Sequence, residues 1–140
     1  MERSGLQTAI LNIVAIILAV LVLFIVNTIL IIVFGAIVDI PFLGNILSWP
    51  STPVLYALSG ANIISIGIGG TVCHKICGVT KGGYRPGMLI YGLICIALFS
   101  MSAYGAFTEF GFCDAVICHI FGAIAGTWTI RGAKPDSAIA

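Results

Sequence analysis

Charge is what this chain has least of. Of its 140 residues only 8% are Asp, Glu, Lys or Arg, six basic and five acidic. A water-soluble surface wants roughly 25–35% charged residues, so polar groups cannot cover a globule of this composition. With 60% of residues apolar, the solvent for most of the surface must be lipid. A net charge of +1 supplies too few bases to follow a phosphate backbone, which argues against nucleic acid as a partner. No Asn-x-Ser/Thr sequon is present, so a glycosylated exterior is not indicated.

Reactive constellations are also scarce. The five cysteines are too few and too dispersed for a secreted disulfide scaffold, and no C-x-x-C pair occurs. Cys73, His74 and Cys77 cluster, but a structural zinc wants four ligands and only three are at hand. The two histidines fall at different depths, so they cannot sandwich one haem. The glycine-rich loop Gly78–Gly87 lacks the G-x4-G-K-[ST] of a phosphate-binding loop. No metal, no cofactor and no enzymatic activity are expected.

What the chain has is long apolar runs. A span needs about 20 such residues, and four segments meet this: within Thr8–Val38, Val54–Cys73, Gly87–Phe107 and Cys113–Ile130. Lipid offers no partner to a free N–H or C=O, so each must be helical. The first would be about 45 Å of helix against about 30 Å of hydrocarbon, and must tilt or lay its first turns along the interface. Its uncharged stretch, Leu6 to Val38, far exceeds the roughly 7–15 residue core of a secretory signal and reads as a retained signal-anchor.

Charge sets the orientation. Arg3, Lys75, Lys81, Arg85, Arg131 and Lys134 all fall on one side of such a four-span drawing, and Asp39, Glu109 and Asp114 on the other. Basic residues bias short loops to stay cytoplasmic. Both termini are therefore expected in the cytoplasm, with the chain most naturally placed in the plasma (cell inner) membrane. Trp49, Tyr56 and Tyr104 near the outer boundary, with Tyr84 and Trp128 near the inner one, suit an aromatic belt. Lys75, Lys81 and Arg85 invite contact with anionic lipid headgroups. The segment from Phe42 to Pro50 reads as a short outer interfacial helix or a re-entrant loop.

Two short similarities point to duplication. Phe34–Phe42 reads against Tyr104–Phe112, with aromatic, Gly, Ala, acid and Phe in register. Gly67–Lys75 reads against Ala123–Arg131, with small-Ile-small-Gly-Thr followed by a base. The fold expected is thus an all-α membrane protein of four transmembrane helices, N-in and C-in. It forms one integral domain of two parallel-repeat hairpins, 6–77 and 87–131, with a short polar tail, 132–140. Parallel repeats are related by an axis along the membrane normal.

Helix faces supply the candidate sites. Ala57, Ala61, Ser65, Gly69 and Cys73 are small and spaced four apart, as are Cys118, Gly122 and Gly126. Such rows let backbones approach closely, and the two rows are expected to pack on each other or at a homo-oligomer seam. A second set is polar: Asn12, Asn27, Asn62 and His119 inside spans, with Asp39, Glu109 and Asp114 at the outer ends. Ionisable groups within a span are functional candidates by default. The reading that follows is a small polytopic, non-enzymatic subunit or assembly protein, binding a membrane partner or copies of itself. The alternative is a small oligomeric transporter or channel of duplicated hairpins.

Overall fold

The computed structural model describes residues 5–38, 52–110 and 114–132, and within them not the side chains of 35, 37, 38, 52–58, 106–110, 114, 115, 117 and 118. Among the described residues there are four helices and no strand. They are α1 (Gly5–Val38), α2 (Thr52–Ile76), α3 (Pro86–Phe110) and α4 (Asp114–Arg131). Each lies on one of the four apolar runs. Pro53 falls in the first turn of α2 and Pro86 opens α3, where a missing N–H removes no helical bond.

By length and composition, α1 and α3 could cross a membrane, through Gly5–Phe34 and Pro86–Gly105. The helices α2 and α4 are less apolar. The outer segment from Phe42 to Pro50 lies outside the described residues.

The broadest interfaces are α1 with α2 and α3 with α4, and the two pairs are joined mainly where α2 runs along α4. Close approaches fix the directions. Gly78 lies beside Thr8, Gly87 beside Asn12, and Gly69 beside Ala19, so α1 runs antiparallel to α2. Gly70 meets Thr129, so α2 and α4 run parallel. The start of α1, the end of α2, the start of α3 and the end of α4 therefore share one end of the bundle. Lys75, Lys81, Arg85 and Arg131 all belong to that end. Glu109 and Asp114 lie at the other, by their places along α3 and α4.

A tight loop links α2 to α3. The Thr80 and Gly83 N–H groups donate to Tyr84 and Thr80 carbonyls, both at 2.9 Å, and the Tyr84 N–H donates to Thr80 Oγ1 at 3.1 Å. Gly83 takes φ 75°, a left-handed conformation that glycine reaches without a Cβ penalty.

The two proposed repeat registers fare differently. Carried along α2 and α4, the second pairs Ile66, Gly69 and Gly70 with Gly122, Ala125 and Gly126, and all six are buried. Other pairs depart from the pattern: Ser65 is buried while Phe121 is exposed, and Cys73 is buried while Thr129 is half-buried. Carried down α1 and α3, the first pairs Leu18, Leu21, Ile25 and Ile29 with Met88, Tyr91, Cys95 and Phe99. The four on α1 are exposed and the four on α3 are core. A nine-residue likeness at the helix ends does not extend to the faces the two helices bury.

Candidate functional site: helix seams and a lateral groove

The core gathers Ala15, Ala19 and Leu23 from α1, Ile66 and Cys73 from α2, and Tyr91, Cys95 and Phe99 from α3. Tyr91 is its largest fully buried side chain. A phenol this deep must satisfy its hydroxyl, and the O–H donates to the Ile66 carbonyl at 3.1 Å. Gly69 sits at the meeting of three helices. A Cβ there would collide with the Tyr91 hydroxyl and come 2.8 Å from the Ala19 carbonyl oxygen.

The described glycines of the two small-residue rows have their nearest neighbours on other helices. Ala61, Ser65, Gly69 and Cys73 are buried, and Gly69 turns toward α1 and Tyr91. Ser65 also bonds its own helix, Oγ to the Ala61 carbonyl at 2.6 Å. Gly122 and Gly126 instead face α3. Gly122 lies under the Phe99 ring, and Gly126 lies against the Cys95 side chain and the Ile96 backbone. Gly92 completes this seam: a Cβ there would come 2.6 Å from Thr129 Oγ1 and 2.9 Å from the Gly126 carbonyl oxygen. At Gly69, Gly122 and Gly126 the nearest atoms come from α1 and α3 within the chain. A four-residue spacing names the small positions on a helix but not the helix that will fill them. Ala57 and Cys118 are helical, but their side chains lie outside the described set.

The polar candidates are dispersed. Asn12 and Asn62 are buried, while Asn27 and His119 are half-buried. Asn12 lies at the basic end, its Oδ1 beside Gly87. Asn12 Oδ1, Asn27 Oδ1 and His119 Nδ1 are buried without a hydrogen-bond partner. His119 tilts toward Phe99, with ring centroids 6.4 Å apart. Asn27 and His119 ride on α1 and α4, which scarcely touch. Asp39 lies outside the described residues, as do the side chains of Glu109 and Asp114.

Cys73, Cys77 and Cys95 are free and buried, whereas His74 is exposed and turned away from the two cysteines flanking it. Among the described residues, no three His, Cys, Asp or Glu gather closely enough to hold a metal. Burial pushes the Cys77 thiol above its ordinary range, against the pull of Arg85. That thiol stays protonated, and a thiol is a far weaker nucleophile than a thiolate.

Beside the seams lies a space that composition did not announce. A groove of about 380 Å³ opens laterally between α2 and α4, walled by Ile63, Gly67, Thr71, Met88 and Trp128, with His74 and Lys75 at its basic end. Its threonines are turned inward chemically. Thr71 Oγ1 donates to the Gly67 carbonyl at 2.9 Å, and Thr129 Oγ1 to the Gly126 carbonyl at 2.7 Å. Each wall hydroxyl has spent its proton on its own helix, as helical Ser and Thr often do. Of the three bases read as lipid contacts, Lys75 and Lys81 are exposed. Arg85 is folded inward, with a buried, unpartnered Nε.

No protein-family model, no curated protein and no solved structure matches the chain. The fold therefore defines a class by its physics alone: among the described residues the regular structure is all helix, and two of the helices are long and apolar enough to cross a membrane.

Proposed function

We propose that the chain crosses a bilayer four times as two hairpins, α1–α2 and α3–α4, with its basic end in the cytoplasm, and that it serves as a non-enzymatic subunit or assembly protein of the plasma membrane. The outer face of α1 carries this reading. Leu6, Ile10, Ile13, Ile17, Leu21 and Ile32 are all more than half exposed. Soluble monomers rarely expose contiguous apolar patches beyond a few hundred Å², and lipid or another membrane helix is the solvent such a face needs. The gathering of Lys75, Lys81, Arg85 and Arg131 at one end supports the orientation. The pairing of the helices supports the hairpins.

The subunit reading rests on how the interior is used. Tyr91, Phe99 and the close approaches at Gly69, Gly92 and Gly126 fill the middle of the bundle with the chain's own atoms. What remains to offer is an exterior. The unpartnered atoms of Asn12, Asn27 and His119 favour a second reading, a small transporter or channel, because a polar pathway needs such groups inside a span.

One reconstitution separates the two. Purified protein in liposomes is expected to carry no flux of protons or small solutes above empty vesicles, and to leave mild detergent in a discrete complex. A flux that His119→Ala abolishes would overturn the subunit reading. Orientation is checked by thiol labelling: an external reagent reaches Ser51→Cys and not Gly82→Cys.

A further inference from the structure

We propose that the groove between α2 and α4 is a binding site for one acyl chain of an anionic phospholipid, with its headgroup held by Lys75. The inference rests on the membrane-spanning reading and adds a specific ligand to it.

Three features of the groove select that occupant. The first is length. From Ile63 to Lys75 the α2 wall rises about 18 Å, close to the about 15 Å that one leaflet contributes to a 30 Å hydrocarbon core. The second is polarity. Thr71 and Thr129 donate to their own helices, so the walls present methyls and apolar side chains to whatever enters. A hydrogen-bonding solute would find no free hydroxyl proton in the wall. The third is charge. Polar character is concentrated at one end, where Lys75 and His74 line the groove and, among the described residues, no acidic one does. Trp128, 66% exposed, lines the same groove, and an indole ring favours the region where chains meet headgroups.

Gly67 is what keeps the space open. A Cβ added there meets nothing within 4 Å, so a side chain at this position starts in open space on the groove's wall. This gives a variant that closes the site and spares the fold.

The test uses the full chain carrying Trp49→Phe, which leaves Trp128 as the only indole. It is reconstituted into phosphatidylcholine vesicles containing a fixed share of brominated phosphatidylglycerol or brominated phosphatidylcholine. Bromine quenches tryptophan on contact. The anionic lipid is expected to compete for Trp128 about fivefold better, the effect of one well-placed base near a membrane surface. Lys75→Gln should bring that ratio toward one, and Lys81→Gln, in the loop, should leave it unchanged. Gly67→Leu should weaken quenching by both lipids. A ratio of one in the parent protein, or a ratio indifferent to Lys75→Gln, overturns the site while leaving the membrane reading intact. Quenching that falls as protein is added at constant lipid means that a second copy fills the groove, and also overturns it. No quenching by either lipid would sink the site and the spanning reading together.

Discussion

Helix α4 faces two neighbours in two different ways. Toward α3 it closes at its glycines, where Gly122 and Gly126 let the Phe99 ring and the Ile96 backbone come into direct contact, although a recess of about 360 Å³ opens beside them between Ile96, Ser100, Ile120 and Ile124. Toward α2 it packs closely where Gly70 meets Thr129, and beside that contact the two helices border the groove. Glycine borders both spaces. In the seam its missing side chain is replaced by a neighbour's atoms, whereas at Gly67 in the groove nothing replaces it. Two residues of α2 state the contrast most sharply. Gly69 has α1 and α3 against it, and Gly67, two residues back along the chain, has open space. Within a bilayer helices gain little from hydrophobicity, since lipid tails are as apolar as leucine, so close packing is what holds them. Seams and grooves should therefore respond to added volume with opposite signs.

The largest effect is expected at Gly69→Leu. The new side chain must displace both the Tyr91 hydroxyl and the Ala19 carbonyl, and the second is backbone. Overpacking of a filled core costs roughly 1–3 kcal/mol and occasionally more, and this site belongs at or above the top of that range. Thermal unfolding in detergent should show loss of the folded protein. A Gly69→Leu variant as stable as its parent would mean that α1, α2 and α3 do not converge there.

Next comes Gly92→Ala, a single methyl pressed against Thr129 Oγ1 and the Gly126 carbonyl. About 1–3 kcal/mol is expected, read as a lower melting temperature in the same detergent. Tyr91→Phe should follow at about 1 kcal/mol. It keeps the ring and leaves the Ile66 carbonyl with only its helical donor. If Tyr91→Phe costs more than Gly92→Ala, polar satisfaction outweighs close packing in holding the bundle.

Much of the fold could be read before any coordinates, and for a simple reason. Uninterrupted apolar runs have one backbone solution in lipid, and four helices lie on the four runs. The buried side of α2 was visible in the spacing of Ala61, Ser65, Gly69 and Cys73, because small residues at four-residue steps lie along one stripe. Their partner was not visible, since spacing describes one helix and packing involves two. Gly92 escaped notice because Met88 and Ile96, four residues either side, are large. Tyr91 gave no signal either, because it stands about one turn inside the third apolar run, where a tyrosine reads as an interfacial ring and not as a buried hydroxyl in need of an acceptor. The likeness between Phe34–Phe42 and Tyr104–Phe112 misled about faces, because a run of Leu, Ile and Val can bury any side equally well.

The smallest effect is the most diagnostic. Gly67→Ala places one methyl in open space at the floor of the groove. A glycine inside a helix is destabilising by roughly 0.5–1 kcal/mol relative to alanine, because it surrenders more backbone freedom on folding. With no neighbour to strike, the substitution should raise the melting temperature in detergent slightly, by up to that amount. The sign is what matters, since Gly69→Ala, two residues on, must lower it. If a tightly held lipid occupies the groove, the gain seen in stripped detergent should shrink when anionic phospholipid is added back, because the methyl then competes with an acyl chain for the same volume. If both glycines respond alike, then α2 and α4 close upon each other in the membrane and the groove has no independent existence.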